Sequence, residues 1–216
     1  MNNKMTTLLF DLDGTLIDTN ELIITSYLHT LEKYYPGQFQ REDVLPFMGP
    51  TLHEAFSTVG ADPDRVEEMV KVYRTFNIAN HDVLVKEFEG VFETIQTLYE
   101  KGYKLAIVTT KRHDVALKGL RLTGLDKFFE VVIALDHVEK VKPDPEPIFK
   151  ALEELGSSPA EAVMVGDNYH DILAGRNAGT VTVGVAWSIK GRDYIAKYEP
   201  DYILENMTDL LTILEV

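Results

Sequence analysis

Residues 8–20 read LLFDLDGTLIDTN, an apolar run that breaks into Asp11, Asp13 and Gly14 and contains no cysteine, histidine or lysine. Three readings compete. An Asp-Gly pair between apolar runs is the commonest hairpin signal. A calcium loop of the EF-hand type is excluded, because counting from Asp11 the glycine is out of place and the position that needs a bidentate glutamate is Leu22. The third reading is the end of a catalytic strand. Residues two apart on a strand face the same way, so Asp11 and Asp13 can converge on one ligand, and Gly14 permits a sharp exit with no side chain in the way. Taken alone, the stretch does not decide between hairpin and catalytic strand end.

Three later stretches tip the balance. In IVTTK (107–111) a buried-type strand ends in the hydroxyls of Thr109 and Thr110. In VKPDP (141–145) Lys142 stands before prolines that restrict the backbone. In VMVGDNYHD (163–171) another apolar run ends in Asp167, with Asp171 four residues on. Each polar group falls where an apolar run should leave a sheet, and a hairpin has no use for such remote matches. The modest alternatives are helix capping by Asp167 or Asn168, dipole stabilisation by Asp171, and a solvated surface role for Lys142. Thr110 and Lys111 either touch substrate or begin a helix.

From residue 86 onward, helical and strand patterns alternate: VFETIQTLYEKG, KLAIVTT, DVALKGLRLTG, VVIA, PEPIFKALEELG, AVMVGD, DILAGRNAG, VTVGVAW, DYIL and MTDLLTIL. Alternation of this kind implies right-handed crossovers and a parallel sheet, and the strand Thr6–Phe10 fits the same sheet. Between them, residues 16–85 read as nearly all helix, with Asp62 as N-cap and Pro63 opening a helix through RVEEMVKVYRTF. The expected fold is α/β, a Rossmann-like parallel sheet with helices on both faces, formed by residues 1–15 and 86–216. Residues 16–85 are an inserted α-helical cap at the carboxyl edge, where open α/β sheets bind ligands.

Composition narrows the function. The 216 residues carry a formal net charge of −14, which disfavours nucleic acid and anionic membranes as partners. An anionic substrate needs a metal ion or a few placed cations to reverse the local field. The absence of cysteine excludes disulfides, thiolate metal sites and cysteine nucleophiles. The polar lead MNNKMTT has no apolar signal region, so a cytoplasmic setting is expected. The six histidines form no spaced ligand pair, and no P-loop or Gly-x-Ser-x-Gly is present.

The ordered set Asp-Leu-Asp-Gly-Thr, strand-end Thr109, Lys-Pro-Asp-Pro and Gly-Asp-x-x-x-Asp resembles the haloacid dehalogenase superfamily of aspartate-nucleophile hydrolases along the whole chain. The resemblance implies that Asp11 attacks phosphorus and forms an aspartyl-phosphate, and that Asp13 acts as acid and base. It implies Mg²⁺ held by Asp11, the Asp13 backbone carbonyl and Asp167. Lys142 would supply fixed positive charge, Thr109 a hydrogen bond to a phosphoryl oxygen, and Asp171 would orient Lys142 or support the metal from behind.

The cap segment 16–85 holds 11 acidic against 5 basic residues, so it has no general attraction for anions. Its candidate substrate contacts are Gly49, Pro50 and the Thr51 backbone N–H in FMGPTLHEAF, together with Arg74; Lys71 fits a surface charge better. A closer resemblance, carried by YYPGQFQREDVLPFMGPTL, VYRTFNIANHD, EFEGVFETIQTL and IVTTKRHD, is to a bacterial pyrophosphatase subfamily. It implies hydrolysis of inorganic pyrophosphate, in a role associated with dephosphorylation of phosphoseryl-HPr, although no protein partner is legible. The alternatives are a phosphoglycolate or sugar-phosphate phosphatase, a phosphomutase, and a non-catalytic phosphate-sensing module. The last leaves the two carboxylates Asp11 and Asp13 without a purpose.

Overall fold

The computed structural model describes residues 5–216, so the first four residues of the polar lead read above lie outside the described residues. The chain divides into two compact units, one made of the N-terminal stretch through Asp18 together with Lys86–Val216, the other of Thr19–Val85.

The first unit is built on a six-stranded parallel sheet. Its strands are β1 (Thr7–Phe10), β4 (Lys104–Val108), β5 (Val131–Ile133), β6 (Ala162–Gly166), β7 (Val181–Val185) and β8 (Tyr202–Leu204), in the order β5-β4-β1-β6-β7-β8. The central strands are near-continuous apolar runs because both sheet faces are covered. TLLF of β1 and AVMVG of β6 are buried at every residue. The covering helices are α5 (Val91–Glu100), α6 (His113–Leu122), α7 (Glu146–Glu154), α8 (Tyr169–Ala178), α9 (Arg192–Ala196) and α10 (Asp209–Ile213). One core layer packs Leu9, Val108, Ile133 and Met164 of the sheet with Ile148, Leu152 and Ala174 of α7 and α8. Register then places the chemistry. Phe10 lies opposite Ile107 on one side and Val165 on the other, so three strands run out at the same carboxyl edge. A short antiparallel pair, β2 (Ile17–Asp18) with β3 (Lys86–Glu87), closes this unit. That pairing keeps residues 16–18 in the first unit, and the helical unit begins at Thr19 rather than at residue 16.

The second unit holds α1 (Asn20–Tyr34), α2 (Arg41–Val44), α3 (Leu52–Ser57) and α4 (Pro63–Leu84). Helix α4 starts as its sequence predicts, the Asp62 carboxylate accepting the Arg65 N–H at 2.9 Å with Pro63 in the first turn. It runs beyond the apolar stretch that announced it, because its buried stripe continues through Asn77 and His81. Asn77 donates from Nδ2 to the Ser26 hydroxyl at 3.2 Å, tying α4 to α1. Tyr27 centres this core, its ring 5.4 Å from Phe47 and from Phe56 and 4.8 Å from Tyr73. Among the described residues, no helix is long and apolar enough to cross a membrane.

Leu9 is fully buried in the central strand. Leu9→Ala is expected to lower unfolding free energy by about 2–5 kcal/mol in a urea titration, and a smaller loss would mean that the sheet collapses into the cavity.

Candidate active site

The site forms where β1, β4 and β6 end. Asp11 follows β1 directly, its N–H donating to the Val165 carbonyl at 2.9 Å, and its side chain is buried. Asp167 follows β6, and Asp171 lies in the first turn of α8. One oxygen from each of Asp11, Asp167 and Asp171 falls within 4.8 Å of the other two.

Lys142 binds this cluster from below. Its ammonium, 3% exposed, donates to Asp11 Oδ1 at 2.7 Å, to Asp171 Oδ1 at 2.6 Å and to the Val108 carbonyl at 2.7 Å. Burial alone would lower the lysine pKa, but the charges of Asp11 and Asp171 outweigh it and raise the pKa well above the usual range. Asp171 also accepts the Asn168 N–H through Oδ2 at 3.0 Å. Asp171, for which dipole stabilisation and orientation of the lysine were the two readings, thus holds Lys142 with one oxygen and closes a capping box with the other. The helix N-cap itself is Asn168, not Asp167.

Two glycines make room for the acids. Gly14 has φ +81°, and a Cβ there would lie 2.7 Å from Asp167 Oδ2. At Gly166 a Cβ would sit 2.2 Å from the Asp171 Cβ. The glycine beside each acid is therefore a condition for the acids to meet.

Asp13 is not one of the three clustered carboxylates, although its charge acts on Asp11. Its carboxylate accepts from the Lys111 ammonium at 2.5 Å, a role for Lys111 that its place after two threonines did not reveal. Thr109 is buried; its N–H donates to the Ile133 carbonyl and its hydroxyl accepts the Lys111 N–H at 3.1 Å. Thr110 follows, half-buried.

Gly49, Pro50, Thr51 and Arg74 belong to the second unit. There Thr51 is the N-cap of α3, and its backbone N–H donates to Glu54 Oε2 at 2.8 Å. The donor expected for substrate is thus engaged in a capping box. Arg74 is half-buried on α4.

A fourth loop, after β7, reaches the same edge and was missed. Trp187 donates its indole N–H to the Thr15 carbonyl at 3.3 Å, and the Ser188 hydroxyl donates to Asp167 Oδ2 at 3.2 Å. The signal was present in VTVGVAWS, which is an apolar run ending in polar groups like the other strand ends.

The charges do not balance. The buried Asp11 and Asp171 and the half-buried Asp167 set three carboxylates against Lys142, which bonds two of them, and Lys190, whose charge acts on Asp167, a formal excess of one negative charge. From protein groups alone, burial raises Asp11 to about 7, with the charges of Asp171 and Asp13 adding to the rise and Lys142 opposing it. Burial, with Asp171 and Asp11, pushes Asp167 well above the carboxylate range. Clustered oxygen donors with an unmet negative charge fit a hard divalent cation, and Asp11, Asp167 and Asp171 are the side chains able to hold it.

A parallel sheet whose central strand tips gather three carboxylates around a buried lysine defines a haloacid dehalogenase-like hydrolase, and the chain belongs to that family, which matches it over residues 8–185. Its relatives are more particular. The pyrophosphatase PpaX of Anoxybacillus flavithermus is 62% identical over 99% of this chain and 98% of its own length. PpaX of Bacillus velezensis is 59% identical over 98% and 97%. The solved structure of a haloacid dehalogenase-like hydrolase from Bacteroides fragilis matches with a TM-score of 0.90 at 28% identity, covering 96% of this chain and all of that one.

Two outcomes follow from the charge excess. A carboxyl whose pKa rises from 3.8 to about 7 on folding holds its proton more tightly in the folded state. Its contribution is therefore most favourable at low pH and is lost as pH rises through that window. In EDTA the thermal midpoint should fall between pH 5 and pH 7.5, and a divalent cation should restore more of it at pH 7.5 than at pH 5. Lys142→Met, which strands Asp11 and Asp171, is expected to cost about 3–5 kcal/mol at pH 8 in EDTA and distinctly less at pH 5, measured by urea unfolding. A cost independent of pH would show that the lysine's role is packing.

Proposed function

We propose that this chain is a Mg²⁺-dependent inorganic pyrophosphatase working through an aspartyl-phosphate on Asp11. The buried Asp11–Lys142–Asp171 network beside Asp167 supports the reaction type. The observation that carries the substrate is the 62% identity to a pyrophosphatase over 99% of the chain, both units included.

In this reading an Asp11 oxygen bonds to one phosphorus of pyrophosphate, the bridging P–O bond breaks, and orthophosphate leaves with the proton that Asp13 gives to the bridging oxygen. Water then attacks the phosphorus of the aspartyl-phosphate, Asp13 takes its proton, the acyl-phosphate P–O bond breaks, and the second orthophosphate is released with Asp11 restored. Lys142 fixes the rotamer of Asp11 and offsets repulsion between carboxylate and substrate. The Thr109 hydroxyl, accepting from the Lys111 N–H, keeps its own proton for a phosphoryl oxygen. Lys111 holds Asp13 until the leaving group arrives. When bound, Mg²⁺ adds positive charge where phosphoryl oxygens gather. Its ligands in this reading are Asp11, Asp167 and the Asp13 backbone carbonyl, with Asp171 as the further side chain of the same cluster. Residues 19–85 are read as the substrate-selecting cap, with Arg74 as its cation and Gly49 and Pro50 as its small groups.

Phosphate release should be fastest from pyrophosphate in a panel that includes phosphoglycolate and hexose phosphates, and it should vanish in EDTA. Faster release from an organic monoester would overturn the substrate. Asp11→Asn should lower turnover by about three orders of magnitude or more with the circular dichroism spectrum unchanged; near-normal turnover would move the nucleophile elsewhere.

A further inference from the structure

We propose that Ser188 is a positioning residue for the cation site, fixing the rotamer of Asp167 from the loop after β7. No motif that defines the site includes this loop. Ser188 is 5% exposed, and its hydroxyl, which has one proton to give, gives it to Asp167 Oδ2 at 3.2 Å. The hydroxyl oxygen in turn accepts the Lys190 N–H at 3.3 Å, which orients its proton toward the carboxylate. The same Oδ2 is the atom that a Cβ at Gly14 would meet at 2.7 Å. One oxygen of Asp167 thus takes the Ser188 hydrogen bond and lies in the space left by the absent side chain of Gly14.

The preceding residue braces the other side. The Trp187 indole donates to the carbonyl of Thr15, which closes the loop carrying Asp11 and Asp13. Its ring lies 6.2 Å from that of Phe88, tilted against it. Two adjacent residues therefore hold the loops of Asp11 and Asp167 at once, which fixes the carboxylates before any cation arrives. Outer partners that orient a ligand in this way change metal affinity by about 10–100-fold.

The inference rests on Asp167 being a cation ligand and not on which phosphate compound is cleaved. The chain has a single tryptophan, and it stands next to Ser188, so intrinsic fluorescence reports on this loop directly. The experiment titrates Mg²⁺ alone into the full chain, by calorimetry and by Trp187 fluorescence, for wild type, Ser188→Ala and Ser188→Cys. The cysteine variant keeps the size and only a weak donor, and it decides the matter if the alanine variant does not fold. The expected result is an Mg²⁺ dissociation constant raised about tenfold in Ser188→Ala and by less in Ser188→Cys, with the thermal midpoint in EDTA near wild type. The same shift in a protein that leaves pyrophosphate intact would uphold the role of Ser188 while removing the pyrophosphatase reading. An unchanged dissociation constant in the folded variants would overturn the proposal, as would weakening matched by an equal loss of stability in EDTA.

Discussion

Everything at the catalytic edge depends on one buried ammonium. Lys142 has three protons, and all three are spent: on Asp11, on Asp171 and on the Val108 carbonyl. These partners come from the ends of two strands and the first turn of a helix, so a single side chain fixes the relative placement of three segments remote in sequence. A buried pair of this kind need add little net stability, since desolvation offsets the attraction. What it supplies is definition, because any other arrangement strands a charge in the interior. Saturation of the lysine also has a consequence for Asp167. With no Lys142 proton left for it, Asp167 takes a neutral hydroxyl from Ser188, and burial together with Asp171 and Asp11 keeps its pKa high against the charge of Lys190. The demand for a further cation is thus a result of donor counting.

Sterics sets the second constraint. The acids of the cluster can approach only because Gly14 and Gly166 carry no side chains, and at both positions a single added carbon would collide with an aspartate. In Asp-x-Asp-Gly and Gly-Asp-x-x-x-Asp the glycine and the acid are therefore one device. Gly14 admits, across the sheet edge, the acid that the other motif presents, and Gly166 admits Asp171 of its own motif.

Local signals set how far the sequence could be read. The parallel sheet was legible because buried strands are uninterrupted apolar runs, Asp11 and Asp167 because each follows such a run, and Lys142 and Asp171 because of their spacing in Lys-Pro-Asp-Pro and Gly-Asp-x-x-x-Asp. Helix α4 was legible at its start, where Asp62 and Pro63 act locally, and not at its end, where Asn77 and His81 are buried by packing that no periodicity of apolar residues records. The pairing of Ile17–Asp18 with Lys86–Glu87 joins residues on either side of a whole helical unit and leaves no local trace. Lys111 was a lysine after two threonines until its partner, far away in sequence, was placed beside it. Thr51 shows the opposite error. An N–H beside Gly-Pro looked available to substrate, whereas the Thr51-x-x-Glu54 spacing already announced a capping box that uses it.

A chain of net charge −14 that acts on a polyanion must reverse its own field locally. The lysines at the edge do not achieve this unaided, because each is set against a carboxylate: Lys142 against Asp11 and Asp171, Lys111 against Asp13. These pairs neutralise charge without leaving any positive, and at Asp167 burial and the neighbouring carboxylates outweigh the charge of Lys190, so the edge stays acidic. In the proposed function, a divalent cation then has two tasks that precede chemistry. It relieves the repulsion among the carboxylates, and it turns the edge from a region that excludes phosphate into one that admits it. A substrate that arrives already complexed with Mg²⁺ meets the same electrostatic requirement, since it brings the missing charge with it. Affinity for the cation and affinity for the substrate are therefore coupled through a single charge deficit, and residues that tune one, as Asp167 and its neighbours do, tune the other.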